Sequence, residues 1–183
     1  MKKLSIIIFI FLIPLGMFSS QFKKRKTLRT GSAPKSVVIS PDGKTAYSIN
    51  LEGMSIYAFH IETKKLLWRL KFYPTRAWGW NYKKRKPIKS FAEKPVEAGF
   101  SGKGRYLWVS LHNGEKVVVV DTFFQKKFKG KRLKTKLYSG RSKNFRTVYV
   151  KDIKVGKTPK VIACSPDGKY VYVANWHSHT VSV

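Results

Sequence analysis

The residues best equipped for chemistry in this chain are cations threaded with aromatic rings. Trp78-Gly-Trp80-Asn-Tyr82-Lys83-Lys84-Arg85-Lys86 places three large rings directly before four consecutive cations. Between Thr122 and Val155, twelve Lys or Arg stand against one acid, Asp152. That run contains Lys126, Lys127, Lys129, Lys131, Arg132, Lys134, Lys136 and Arg141, with Phe123, Phe124, Phe128, Tyr138, Phe145 and Tyr149 set among them. Cations of this kind meet phosphates while rings stack on bases, as in a groove for single-stranded nucleic acid. The same pairing suits sugars and anionic lipid surfaces. Lys83–Lys86 and the named cations of the second run are therefore the expected polyanion-binding residues, with Trp78, Trp80 and Tyr82 as an aromatic platform.

Other chemistry is thin. His177 and His179 flank Ser178, and His112 falls in the corresponding loop of a related segment. Imidazoles two apart, joined by a third from a neighbouring element, can ligate a metal. No carboxylate lies beside them in sequence, and surface loops carry histidine for other reasons, so they form only a weak candidate set. There is no Gly-x-Ser-x-Gly, no Gly-rich phosphate loop and no His-Glu-x-x-His, and no motif names a cofactor. With nine acids in 183 residues, paired carboxylates for acid–base work are scarce. Cys164 is the single cysteine, which excludes an intramolecular disulfide, and its strand-like surroundings give it the role of a small buried residue.

Net charge is +29, from 38 Lys plus Arg against nine Asp plus Glu. Such a surface attracts polyanions in a salt-sensitive way. The N-terminus reads as a leader: Met1-Lys-Lys, an apolar run from Leu4 to Phe18, then small residues at Ser19-Ser20. The run is shorter than the roughly 20 residues that span a bilayer. Residues 1–20 are thus expected to be a signal peptide and the protein to be exported, to a periplasm or the extracellular space. There the available anionic partners are cell-surface polymers, lipid headgroups and nucleic acid.

The elements that must position these residues are written as a repeat. Gly31-Ser-Ala-Pro-Lys-Ser-Val-Val-Ile-Ser-Pro-Asp-Gly-Lys-Thr-Ala-Tyr47 returns as Gly156-Lys-Thr-Pro-Lys-Val-Ile-Ala-Cys-Ser-Pro-Asp-Gly-Lys-Tyr-Val-Tyr172. A worn copy, Lys94-Pro-Val-Glu-Ala-Gly-Phe-Ser-Gly-Lys-Gly-Arg-Tyr-Leu-Trp108, lies between them. Each unit reads as a strand, a tight turn (Ser40-Pro41-Asp42-Gly43 or Ser165-Pro166-Asp167-Gly168), a second strand, a polar loop and a third strand. Repeats of this sort bury their apolar faces only by stacking on one another. The fold expected is all-β: a partial β-propeller over 21–183, with units starting near 31, 93 and 156. That makes about two and a half blades of four-stranded antiparallel sheet with long basic insertions.

Ser165-Pro-Asp-Gly168, Tyr172-Val-Ala-Asn175 and Thr180-Val-Ser-Val183 resemble the YVTN-type β-propeller repeat family, lactonase-like propellers among its relatives. The resemblance implies the fold, and it admits binding proteins as well as lactonase-like and quinoprotein-like enzymes. Two features depart from it. Propeller repeats run to about 40–50 residues, whereas the turn glycines Gly43, Gly104 and Gly168 fall about 60 apart, so each unit carries an insertion. The third unit also stops within its third strand, and two and a half blades do not close a propeller. The chain is therefore expected to be a piece of a longer propeller, or to self-associate through its open edge. In the insertions, Leu67–Phe72 and Thr147–Val155 alternate like outer strands, while Trp78–Lys86 and Lys126–Arg146 are less strand-like. The functional expectation is an exported binding or scaffolding module with a basic surface for an anionic partner. The alternatives are an enzyme of the lactonase-like or quinoprotein-like class with an incomplete site, and a truncated non-functional remnant.

Overall fold

A computed structural model describes residues 26–125, 130–137 and 145–183, so the expected signal peptide lies outside the described residues. Fourteen strands and two 3₁₀ turns, Gly102–Gly104 and Trp176–Ser178, account for its regular structure. No described helix is long and apolar enough to cross a membrane.

The first blade is an antiparallel meander of β1 (Pro34–Ile39), β2 (Thr45–Asn50), β3 (Ser55–His60) and β4 (Leu66–Lys71). A hairpin of β5 (Arg76–Asn81) and β6 (Lys86–Phe91) follows as a separate two-stranded sheet. The second blade holds β7 (Pro95–Ser101), β8 (Tyr106–Leu111) and β9 (Lys116–Asp121). After β10 (Lys131–Leu137) comes its fourth strand, β11 (Phe145–Lys154). Then β12 (Pro159–Cys164), β13 (Val171–Asn175) and β14 (Thr180–Ser182) form three strands of a third blade. The fold is thus a partial β-propeller.

Each inner strand opens on a proline that faces the end of its neighbour: Pro34 opposite Asn50, Pro95 opposite Leu111, Pro159 opposite Asn175. The register shifts just after each proline. A residue without an N–H cannot continue the ladder, so the irregularity recurs wherever the proline does. The turns behave as their residues dictate. Gly43 and Gly168 sit at φ +69° and +71°, and their amides donate to Ser40 O and Ser165 O at 2.8 Å. Asp42 and Asp167 each accept from a serine hydroxyl, Ser40 or Ser165, and from the amide of Lys44 or Lys169. The worn copy makes a 3₁₀ turn instead, with Gly102, Lys103 and Gly104 all at positive φ.

Packing explains why β9 is apolar without alternation. Val118 and Val120 join Leu107, Val109 and Leu111 against Tyr47, Ile49, Ile56, Ala58, Trp68 and Leu70 of the first blade. Val117 packs the opposite way, with Trp108, against Ile162 and Val173 of the third. A strand covered on both faces needs apolar residues at every position. Each fully buried Leu, Ile or Val contributes about 1.5–3 kcal/mol.

Two expectations change. Within Trp78–Lys86, Trp78–Asn81 and Lys86 are strand around the turn Tyr82–Arg85, and the described parts of Lys126–Arg146 include strand at Lys131–Leu137 and Phe145–Arg146, because hairpin pairing satisfies these backbones. Moreover β10 pairs with β4 as well as β11, at Lys136 opposite Arg69 and Leu137 opposite Trp68. The outer edges of two blades are thereby joined in one nine-stranded sheet.

Candidate functional site

The β5–β6 hairpin is an arm held at three points. At its base, buried Glu93 accepts from the Thr75 amide at 2.7 Å and from the Thr75 hydroxyl. Lys116 Nζ lies 3.3 Å from Glu93 and 3.4 Å from Asp152, and Lys131 Nζ lies 2.8 Å from Asp152. Burial raises the Glu93 pKa, but the Thr75 hydrogen bonds and Lys116 outweigh it and leave the net shift downward. Asp152 is likewise lowered on balance: burial acts against Lys131 and Lys116 and loses. Also near the base, at the last two residues of β6, Asn113 Nδ2 donates to Ser90 Oγ at 3.0 Å and to Phe91 O at 3.1 Å. Gly79 permits this approach, since a Cβ there would lie 3.0 Å from Ser90 Cβ and 3.3 Å from Asn113 Nδ2. At the tip, Tyr82 stacks on Trp176 of the third blade.

Beneath the arm is a cleft of about 420 Å³ lined by Trp78, Gly79, Trp80, His112, Asn113, Glu115, Lys157, Thr158 and His177. Its floor is the loops that follow β8 and β13 and the turn before β12. Thr158 Oγ1 and His177 Nδ1 lie 2.7 Å apart, and the His177 ring stacks on Trp176. Lys160 Nζ sits 4.7 Å from the centroid of the Trp176 ring. Burial first, then the charges of Lys160, His177, Lys35 and Lys94, push the His112 pKa down to about 4. The ring is therefore uncharged at neutral pH, and the field around it is positive.

The structure sorts the expected residues. Lys83, Lys84, Arg85 and Lys86 are exposed at the arm's tip, and Trp78, Trp80 and Tyr82 are exposed along it. Lys131 is engaged with Asp152 near the arm's base, where Arg132 is also exposed on β10. Each strand of the arm spans about 20 Å, so among the described residues Lys83–Lys86 at its tip and Lys131 near its base stand at opposite ends. Lys126, Lys127, Lys129 and Arg141 lie outside the described residues, as do the side chains of Lys134 and Lys136. His112 and His177 share the cleft while His179 does not line it, and among the described residues no group of three His, Cys, Asp or Glu could hold a metal. Cys164 is half-buried against Ile162 and Val173, and burial pushes its thiol pKa up. Sequence reasoning missed Asn113, Lys157, Thr158 and Lys160. One signal was available: Pro34-Lys35 and Pro159-Lys160 repeat a lysine at the start of each flanking inner strand.

No family model and no curated protein matches this chain. Among solved structures, hydrazine synthase of Kuenenia stuttgartiensis aligns at a TM-score of 0.52 and 23% identity, covering 84% of this chain and 32% of that one. A putative 6-phosphogluconolactonase of Bacteroides fragilis aligns at 0.47 and 19%, covering 85% and 35%. The Cps50 (Swd1) β-propeller domain of Myceliophteria thermophila aligns at 0.42 and 16%, covering 81% and 50%. The likeness is one of fold, and the chain spans a third to a half of the length of these structures.

Proposed function

We propose that this chain is an exported binding module, built from YVTN-type blades of a longer propeller, whose projecting arm engages an anionic polymer. One observation carries the reading. The arm presents Lys83, Lys84, Arg85 and Lys86 to solvent together with the exposed rings of Trp78, Trp80 and Tyr82. Among the described residues no carboxylate forms an ion pair with these four cations. Their charge is therefore available to a partner, and the rings add area for bases or sugars to stack on. Apolar residues support membership of a longer propeller. Val161, Tyr172, Val181 and Val183 leave one face of the third blade exposed, and Val37 and Ile39 do the same on the first.

The test is a titration with heparin and with single-stranded DNA across a range of salt. Replacing Lys83, Lys84, Arg85 and Lys86 by Gln should weaken binding and flatten its salt dependence by about three to four released counterions. Binding of equal strength and equal salt slope in parent and variant would sink the reading. A lactonase-like enzyme is the second reading, favoured by an uncharged imidazole, His112, lining a cleft. Hydrolysis of a lactone that is lost in His112→Phe would support it.

A further inference from the structure

His112 has two ring nitrogens in different settings. Among the described residues, Nδ1 is buried and has no hydrogen-bond partner, whereas Nε2 is not a buried atom of this kind and makes no side-chain bond. The accessible nitrogen of this cleft-lining ring is thus Nε2. A proton on Nδ1 would strand a donor in the interior, which is rarer and costlier than an unused acceptor. The uncharged ring therefore carries its proton on Nε2 and offers an N–H donor to the cleft. Beside it stand the exposed ammonium of Lys157, the imidazole of His177 and one acid, Glu115. Lys35, Lys94 and Lys160 add positive potential at His112. Glu52 pairs with Lys94 at 2.8 Å, and Glu97 acts on Lys160. On the side of the arm the lining is Trp78, Gly79 and Trp80 of β5.

From this geometry we infer that the cleft is a binding site for a small oxyanion carried on a planar ring, separate from the cations Lys83–Lys86 of the polymer-binding tip although it shares Trp78 and Trp80 with that arm. The ring lies against Trp78 and Trp80, the oxyanion accepts from His112 Nε2–H, and Lys157 supplies the counter-charge. A volume of about 420 Å³ suits a molecule of one or two rings. A carboxylate and a phosphate ester share this recognition chemistry.

Three probes of one shape separate the possibilities: benzoate, phenyl phosphate and uncharged benzyl alcohol, each followed by tryptophan fluorescence on the full chain. At least one anion should bind about tenfold tighter than the alcohol, the worth of one charge-assisted hydrogen bond. Tighter benzoate assigns the source to carboxylates, and tighter phenyl phosphate to phosphate esters. Lys157→Gln and His112→Phe should each lose about tenfold. His112→Gln, whose amide can stand where Nε2–H stands, should keep most of the affinity, which separates donation from mere filling of the site. Nitrogen NMR of the imidazole should show Nε2–H in the free protein and a shift of that resonance on binding. Equal affinity for the alcohol, unchanged anion binding in both loss variants, no response to any probe, or an Nδ1–H tautomer would each overturn the inference. The tip variant that tests polymer binding should retain the anion, so the two proposals fail separately.

Discussion

Tyr82, at the tip of an arm that grows from the first blade, stacks on Trp176 of the third blade with 6.4 Å between ring centroids and 19° between planes. An isolated two-stranded hairpin is marginal in water, so this contact at the tip, with Asn113 and Glu93 at the base, decides whether the cleft has a roof.

Removing either ring should release the tip. Such a pair contributes about 0.5–1.5 kcal/mol beyond the area it buries. Tyr82→Ala should raise amide exchange in 76–91 and leave exchange in β8 and β9 unchanged. In a double-mutant cycle with Trp176→Ala, a coupling energy of zero would show that the rings do not hold the arm.

Glu93 ties the arm's base to the second blade through Thr75 and Lys116. Glu93→Ala leaves the Thr75 amide and hydroxyl without their acceptor and Lys116 with Asp152 alone, at a cost of about 2–3 kcal/mol in urea unfolding. A loss below about 0.5 kcal/mol, the scale of an ordinary surface substitution, would contradict this account.

Acid should weaken the fold in two stages. His112 has a folded pKa of about 4, below its unfolded value of 6.5. The unfolded chain therefore binds the extra proton first, and stability held above pH 6.5 is lost as pH falls towards 4. Glu93 and Asp152 are also depressed, so their contributions are present above their unfolded values and vanish on further acidification. His112→Phe should remove the first stage and keep the second, as read by melting temperature against pH.

Gly43 isolates a backbone effect. A Cβ there would meet nothing within 4 Å, yet the residue sits at φ +69°. Gly43→Ala should cost about 1–2 kcal/mol from the left-handed conformation alone. Gly43→Asn, which tolerates that region, should recover part of it; equal losses in the two variants would refute this cause.

Asn50 and Asn175 occupy the same place in two repeats but are not equally satisfied. Asn50 Oδ1 accepts from Thr30 and Ser48, while Asn175 Oδ1 is buried without a partner among the described residues. The sequence explains it: the positions of Thr30 and Ser48 are taken by Val155 and Val173 in the third unit. Asn50→Ala should therefore destabilise more than Asn175→Ala, by about 1 kcal/mol. The reverse order in denaturant midpoints would exclude this explanation.

The sequence by itself determined the blades. Proline, the Ser-Pro-Asp-Gly turn and the apolar runs act over a few residues, through fixed φ, local hydrogen bonds and two-sided burial, so each repeat announces its own strands. Only the tertiary structure decided what the insertions do. The strand Arg76–Asn81 carries no buried residue and arises from pairing with Lys86–Phe91, which no apolar pattern marks. Likewise β10 joins β4 across a sequence separation too long for any local signal. The cleft belongs to the same class: Trp78, His112, Lys157 and His177 come from four separate segments and meet because the arm lies over the loops of two blades. Loop chemistry of this kind is set by where rigid blades place their ends, a property of the stacked repeats that no single repeat contains.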